Sequence, residues 1–191
     1  MDELACFMLT QQEALRLIEE HVSGVKKKRH MIATSAIMKE LAKRLGMDEY
    51  KWELVGLLHD LDYDMIGGDM RKHGLVAAEM MQGKLPEECL HAIRSHDYRT
   101  GVKPESMLDK ALIAVDCVWI LMVRVAFLNS RGRIDGVDLD ALKNLFEDKS
   151  FPAFLKSSIM LCRDFGLTLE DFLKMALEAT PSDLTISEDD L

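Results

Sequence analysis

An adjacent His59-Asp60 pair closes an apolar helical run that begins at Trp52. Imidazole nitrogen and carboxylate oxygen together make a strong site for a divalent transition metal. The dipeptide alone says little, because such pairs arise by chance. Helical phase adds four more groups. His30 shares a stripe with Ala33, Ile37 and Leu41, and His73 shares one with Val76, Ala77 and Met80. His96 shares one with Cys89, Ala92 and Ile93, and Asp116 lies between Leu112, Ile113, Trp119 and Ile120. A lone histidine on an apolar face is more often a satisfied core residue than a ligand. Four ionisable groups on four apolar faces are costly to bury without partners. A shared metal removes that cost, since it takes neutral imidazole and ionised carboxylate. His91 falls off its stripe and is expected at the surface. His21 lies near a stripe, but nothing at its spacing joins it to the others.

The elements that must carry these groups are helical. Thr10, with Glu13 three residues on, predicts an N-capped helix over 10–20. Further helices are expected over 30–45, stopped by Gly46, and over 52–59. Asp69 is expected to cap a helix over 70–82, and Pro86 to open one running to His96. A long apolar helix is expected over 108–129, followed by helices over 139–147, 154–164 and 169–179. No stretch alternates with period two, so the fold class is all-α, a bundle of about eight helices. Residues 1–180 are expected to form one domain, followed by an acidic, disordered tail over 181–191.

Composition narrows the function. The 191 residues are 48% apolar and 30% charged, with net charge -9 and pI about 5.2. That balance argues against a nucleic-acid polymer or an anionic membrane as partner, since either needs a basic face. The apolar run from Ala111 to Leu128 is interrupted by Asp116 and Arg124, which fits a buried central helix better than a membrane span. The acidic start Met1-Asp2-Glu3 does not read as a signal peptide. Four well-separated cysteines, Cys6, Cys89, Cys117 and Cys162, fit a reduced cytoplasmic chain. Self-association is left open.

The order His30, His59-Asp60, Asp116 on helices resembles the HD superfamily of metal-dependent phosphohydrolases. The context is similar too: GLLHDLDYD around the doublet, KHG at 72–74, AIRSHD at 92–97 and ALIAVD at 111–116. The chain looks like the small stand-alone HD or HDIG-type proteins, over about Lys28 to Ala179. The resemblance implies that His30, His59, Asp60 and Asp116 hold a first metal. It implies that His73 and His96 hold a second, with Asp60 bridging. The chain departs from several branches. Asp97-Tyr98-Arg99-Thr100-Gly101 follows His96, with no Gly-Tyr-Pro signature of the cyclic-dinucleotide phosphodiesterases. Tyr63 stands where alarmone hydrolases and HD-type nucleotidases place a catalytic glutamate.

The expected activity is hydrolysis of a small phosphorylated metabolite or nucleotide by metal-activated water. Mixed imidazole-carboxylate ligation suits one or two ions of Mn, Fe, Zn, Ni or Co better than Mg. Beside Asp60, Asp62 or Asp64 is positioned in sequence to move a proton, although a solvated loop carboxylate is the plainer reading of both. Lys28, Arg29, Lys72, Arg94 and Arg99 are cations able to clamp phosphate, with Lys72 and Arg94 favoured by their nearness to the histidines. Two alternatives use the same residues: an HD-fold di-iron oxygenase, and a non-catalytic nucleotide- or metal-sensing module.

Overall fold

One long helix organises the molecule. In the computed structural model, which describes residues 8–182 and 184, α6 runs from Met107 to Ser130. A capping box starts it: the Ser106 hydroxyl accepts from the Asp109 backbone N–H, and Asp109 accepts from the Ser106 backbone N–H. Such a cap stabilises a helix start by about 1 kcal/mol. Helix α6 is long and apolar enough to cross a membrane, yet 67% of its most apolar stretch is buried inside the protein. Its neighbours include α2 (Val25–Leu45), α3 (Glu49–Leu58), α5 (Glu87–Ser95), α7 (Leu139–Glu147), α8 (Ala153–Ile159) and α9 (Leu169–Ala179). Two more helices, α1 (Gln11–His21) and α4 (Leu75–Met80), bring the number to nine among the described residues. No strand is present among them, only an isolated bridge between Gln82 and Leu85. The architecture is all-α.

The tightest pairing is α2 on α3. A Cβ at Gly56 would meet Ser35 Cα at 2.8 Å and Thr34 O at 2.9 Å, so only glycine lets these backbones approach. That approach brings His30 of α2 beside His59, the residue that closes α3.

Several boundaries differ from expectation, each for a local reason. Helix α2 starts at Val25, because Lys26 to Arg29 are good helix formers that an apolar stripe does not register. The helix expected over 70–82 is two pieces: a 3-10 turn over Met70–Lys72, then α4. Gly74, at φ +79°, separates them. The helix expected over 154–164 becomes 3-10 from Met160. The acidic tail falls almost wholly outside the described residues, as does Cys6. Cys89, Cys117 and Cys162 are free thiols, all buried.

Candidate metal centre

His59 and His96 are positioned by the same device. Each caps the C-terminus of a helix and turns its Nδ1 back onto a carbonyl three residues earlier. The distances are 2.8 Å to Gly56 O and 2.7 Å to Ile93 O. An Nδ1–H donating there leaves Nε2 as a bare lone pair. His73 uses a carboxylate instead. Its Nδ1 stands 2.9 Å from Asp62 Oδ1. The other Asp62 oxygen accepts the backbone N–H groups of Gly74 (2.8 Å) and Ala77 (2.9 Å), tying the loop to the start of α4.

All these Nε2 atoms point at Asp60. Its Oδ1 lies 2.9 Å from His73 Nε2, 3.4 Å from His59 Nε2 and 3.6 Å from His96 Nε2. Its Oδ2 lies 3.2 Å from His30 Nε2 and 2.7 Å from Lys27 Nζ. Asp116 Oδ1 completes the near side, 3.1 Å from His30 Nε2 and 3.9 Å from His59 Nε2. The histidines thus fall into two pairs. His30 and His59 have Nε2 atoms 3.0 Å apart, and His73 and His96 have theirs 3.2 Å apart.

These distances fit a metal. Ligands at about 2.1 Å from one ion, set at right angles, stand about 3.0 Å from each other. Lone pairs facing one another at that distance repel unless a positive charge lies between them. His30, His59 and Asp116 form one group able to hold an ion, and His59, Asp60 and His96 form a second. Without an ion, protons supply the charge. Burial opposes charging His30, but hydrogen bonds to Asp116 and Asp60 raise its pKa above the ordinary value. Burial likewise opposes charging His73, and bonds to Asp60 and Asp62 outweigh it, lifting the imidazole to about 9. His59 behaves oppositely: burial drives it down to about 3, so it stays neutral. Burial disfavours the charged Asp60 carboxylate, yet the Lys27 ammonium and hydrogen bonds from His30 and His73 hold it well below the usual range. The cluster takes up positive charge at either end and keeps its carboxylates ionised.

The cluster opens into a cleft of about 320 Å³. Asp116, Ile120, Val123 and Arg124 form one wall, at the i, i+4, i+7, i+8 spacing of a helical face. Lys27 lies opposite, three residues before His30, its Nζ also 3.9 Å from the centre of the Tyr63 ring. Arg99 stands at the rim and is held by Asp97, with Nε 2.9 Å from Oδ1.

Several residues singled out in the sequence lie elsewhere. Asp62 is fully buried with both oxygens engaged, so it orients His73 and has no path to substrate. Asp64 is exposed and accepts from the Ser23 backbone N–H and hydroxyl, both at 2.7 Å, tying the loop to the start of α2. Lys72 is exposed beside Asp69, and Arg94 pairs with Glu87; neither lines the cleft. His91 is not a plain surface residue, for its Nδ1 stands 2.9 Å from Asp109 Oδ2 at the head of α6. Lys26, Lys27 and Arg124 are cleft-lining cations that the sequence analysis does not single out. Their helical phase against His30 and Asp116 was the available signal.

Residues 28–117, which contain every one of these histidines and both central carboxylates, match the family model described as HD domain. The chain carries an HD domain. The chain is also 34% identical over 95 residues to Ribonuclease Y of Lawsonia intracellularis (strain PHE/MN1-00). That match covers 47% of this chain and 17% of the ribonuclease, so only a small part of the larger protein is represented. No solved structure matches. HD domains bind divalent metals and are mostly metal-dependent hydrolases. The His/Asp groups of this HD domain are of the kind that hold such ions.

Proposed function

We propose that the protein is a metal-dependent phosphohydrolase acting on a small phosphorylated metabolite or nucleotide. The observation that carries this reading is Asp60, which offers one oxygen to the His30 side and the other to the His73 and His96 side. Two ions bridged by a carboxylate suit displacement at phosphorus, where attacking and leaving oxygens both need charge stabilisation. His30, His59, Asp60 and Asp116 would hold the first ion, and His73, His96 and Asp60 the second. When bound, such ions supply Lewis acidity toward a phosphoryl oxygen and lower the pKa of water.

The remaining work falls to this chain's own side chains. Lys27 is cationic and attracted to Asp60, and its Nζ faces the cleft. It is placed to donate a hydrogen bond to a phosphoryl oxygen. Arg99 and Arg124 add charge at the mouth, where a bidentate guanidinium orients phosphate. Trp119, Ile120 and Val123 make the apolar part of the wall and limit bulk water.

Anaerobic purification, elemental analysis and a panel of phosphomonoesters, phosphodiesters and nucleotides test the reading. The expected result is one or two transition-metal ions per chain and turnover of a phosphate ester. The panel includes a short RNA, because the similar protein is named a ribonuclease. A metal-loaded protein inert against the whole panel but consuming oxygen with Fe(II) would replace hydrolysis with oxygenase chemistry.

A further inference from the structure

The cleft above the histidines does not end at its mouth. His96, Asp97, Arg99, Asp116, Ile120 and Arg124 line both the cleft and a second, larger hollow of about 920 Å³. The two spaces adjoin across this shared wall. Small-molecule sites enclose roughly 300–1,000 Å³, so the outer hollow alone can take an organic body. Bare phosphate needs only the inner cleft.

The chemistry changes from the cleft to the hollow. At the inner end stand the carboxylates, imidazoles and Lys27. Arg99 and Arg124 mark the junction. Beyond them the lining is largely apolar: Val102, Pro104, Ile113, Leu161 and two aromatic rings. Those rings are unusual. Tyr98 is 79% exposed and Phe154 is 61% exposed, both on the hollow. Isolated exposed apolar side chains are ordinary, but two aromatic rings lining one concave surface next to a charged site give a surface suited to binding. An aromatic ring buries a large area and has a flat face for stacking.

We propose that the outer hollow binds the alcohol portion of the substrate, and that this portion carries an aromatic or compact apolar ring rather than a polyol. The proposal rests on the hydrolase reading and narrows it to phosphate esters of ring-bearing alcohols. The phosphate lies on the inner cations and the ring lies against Phe154 and Tyr98. Hydrolysis adds water across the ester: oxygen from water bonds to phosphorus, the P–O bond to the alcohol breaks, and the departing oxygen takes up the proton.

Binding of non-hydrolysable phosphonates tests this without turnover. Calorimetric titrations compare naphthylmethylphosphonate with methylphosphonate on metal-loaded protein. The aryl compound is expected to bind about tenfold tighter, the effect of burying part of one ring. Phe154→Gln and Tyr98→Gln should each weaken the aryl compound about fivefold and leave methylphosphonate unchanged. Leu128→Gln, an equally exposed apolar site away from the hollow, should change neither. Equal affinity for the two phosphonates, binding of neither, or parallel losses for both in Phe154→Gln would overturn the subsite. The two readings fail separately. Ring-selective binding without hydrolysis of any ester sinks the hydrolase and keeps the subsite. Hydrolysis of glycerol phosphate as efficient as that of naphthyl phosphate does the reverse.

Discussion

Asp62 Oδ1 holds His73 Nδ1 at 2.9 Å while Asp62 Oδ2 accepts two backbone N–H groups. The carboxylate therefore fixes which nitrogen of His73 faces Asp60. A carboxylate that accepts from the far ring nitrogen in this way sets the tautomer of a metal-binding histidine.

Asp62→Asn is the direct test. Its single carbonyl oxygen would take the Gly74 and Ala77 N–H groups, turning the amide NH2 toward His73 Nδ1. The proton would then sit on Nε2, facing the site. We expect metal affinity on the His73 side to fall about 10–100-fold, with the His30 side retained. Elemental analysis at limiting metal should give a stoichiometry lower than wild type by one ion. Unchanged stoichiometry and affinity would remove Asp62 from the site's support.

Asp60→Ala should lose both ions and all turnover, because among the described residues no other carboxylate pairs with histidines on both sides of the cluster. His91→Ala should keep metal and lose about 1 kcal/mol of stability, since the imidazole bonds Asp109 at the α6 cap. Retained metal in Asp60→Ala, read by elemental analysis, would break the bridging argument.

Gly74→Ala probes the backbone. A Cβ there would lie 2.4 Å from Ile93 O and 3.0 Å from the His96 ring, at a φ of +79° that disfavours side chains. We expect a loss of about 2–3 kcal/mol in urea unfolding, together with weakened metal binding through His96. Wild-type stability would show that the α4 start can shift without cost.

The metal-free protein should show a specific pH dependence. His73 has a folded pKa of about 9, raised above its ordinary value. Its contribution to stability is therefore complete below about pH 6.5 and lost as pH rises through 9. The raised His30 adds in the same direction. Metal binding displaces these protons, so affinity should climb over the same interval. Urea denaturation with chelator at pH 6.5, 8 and 9.5 reads the first effect, and competition titrations read the second. Stability of the chelated protein rising from pH 6.5 to 9.5 would contradict both.

The sequence showed the fold where periodicity was strong. Helices α7 and α9 begin and end where their stripes do, and the Thr10–Glu13 capping box is present at α1. Other features needed contacts that no local pattern carries. His73 was placed inward by a stripe with Val76, Ala77 and Met80, yet it is an extended residue just before Gly74 and belongs to no helix. It faces the site because Asp62 holds it. Asp62 itself looked like a loop carboxylate, because its partners lie 11 to 15 residues away. Lys27 and Arg124 share helical faces with His30 and Asp116, but one sat in a basic run and the other in an apolar run. In each case the neighbours hid the phase.

The α6 wall also acts as a caliper. Asp116 and Arg124 are eight residues apart on one continuous helix, so their backbones are separated by about 12 Å along its axis. A loop would let that interval vary; a buried helix fixes it. If the proposed substrate meets both the Asp116 end of the cleft and the Arg124 guanidinium, the pitch of α6 would set the span it has to cover.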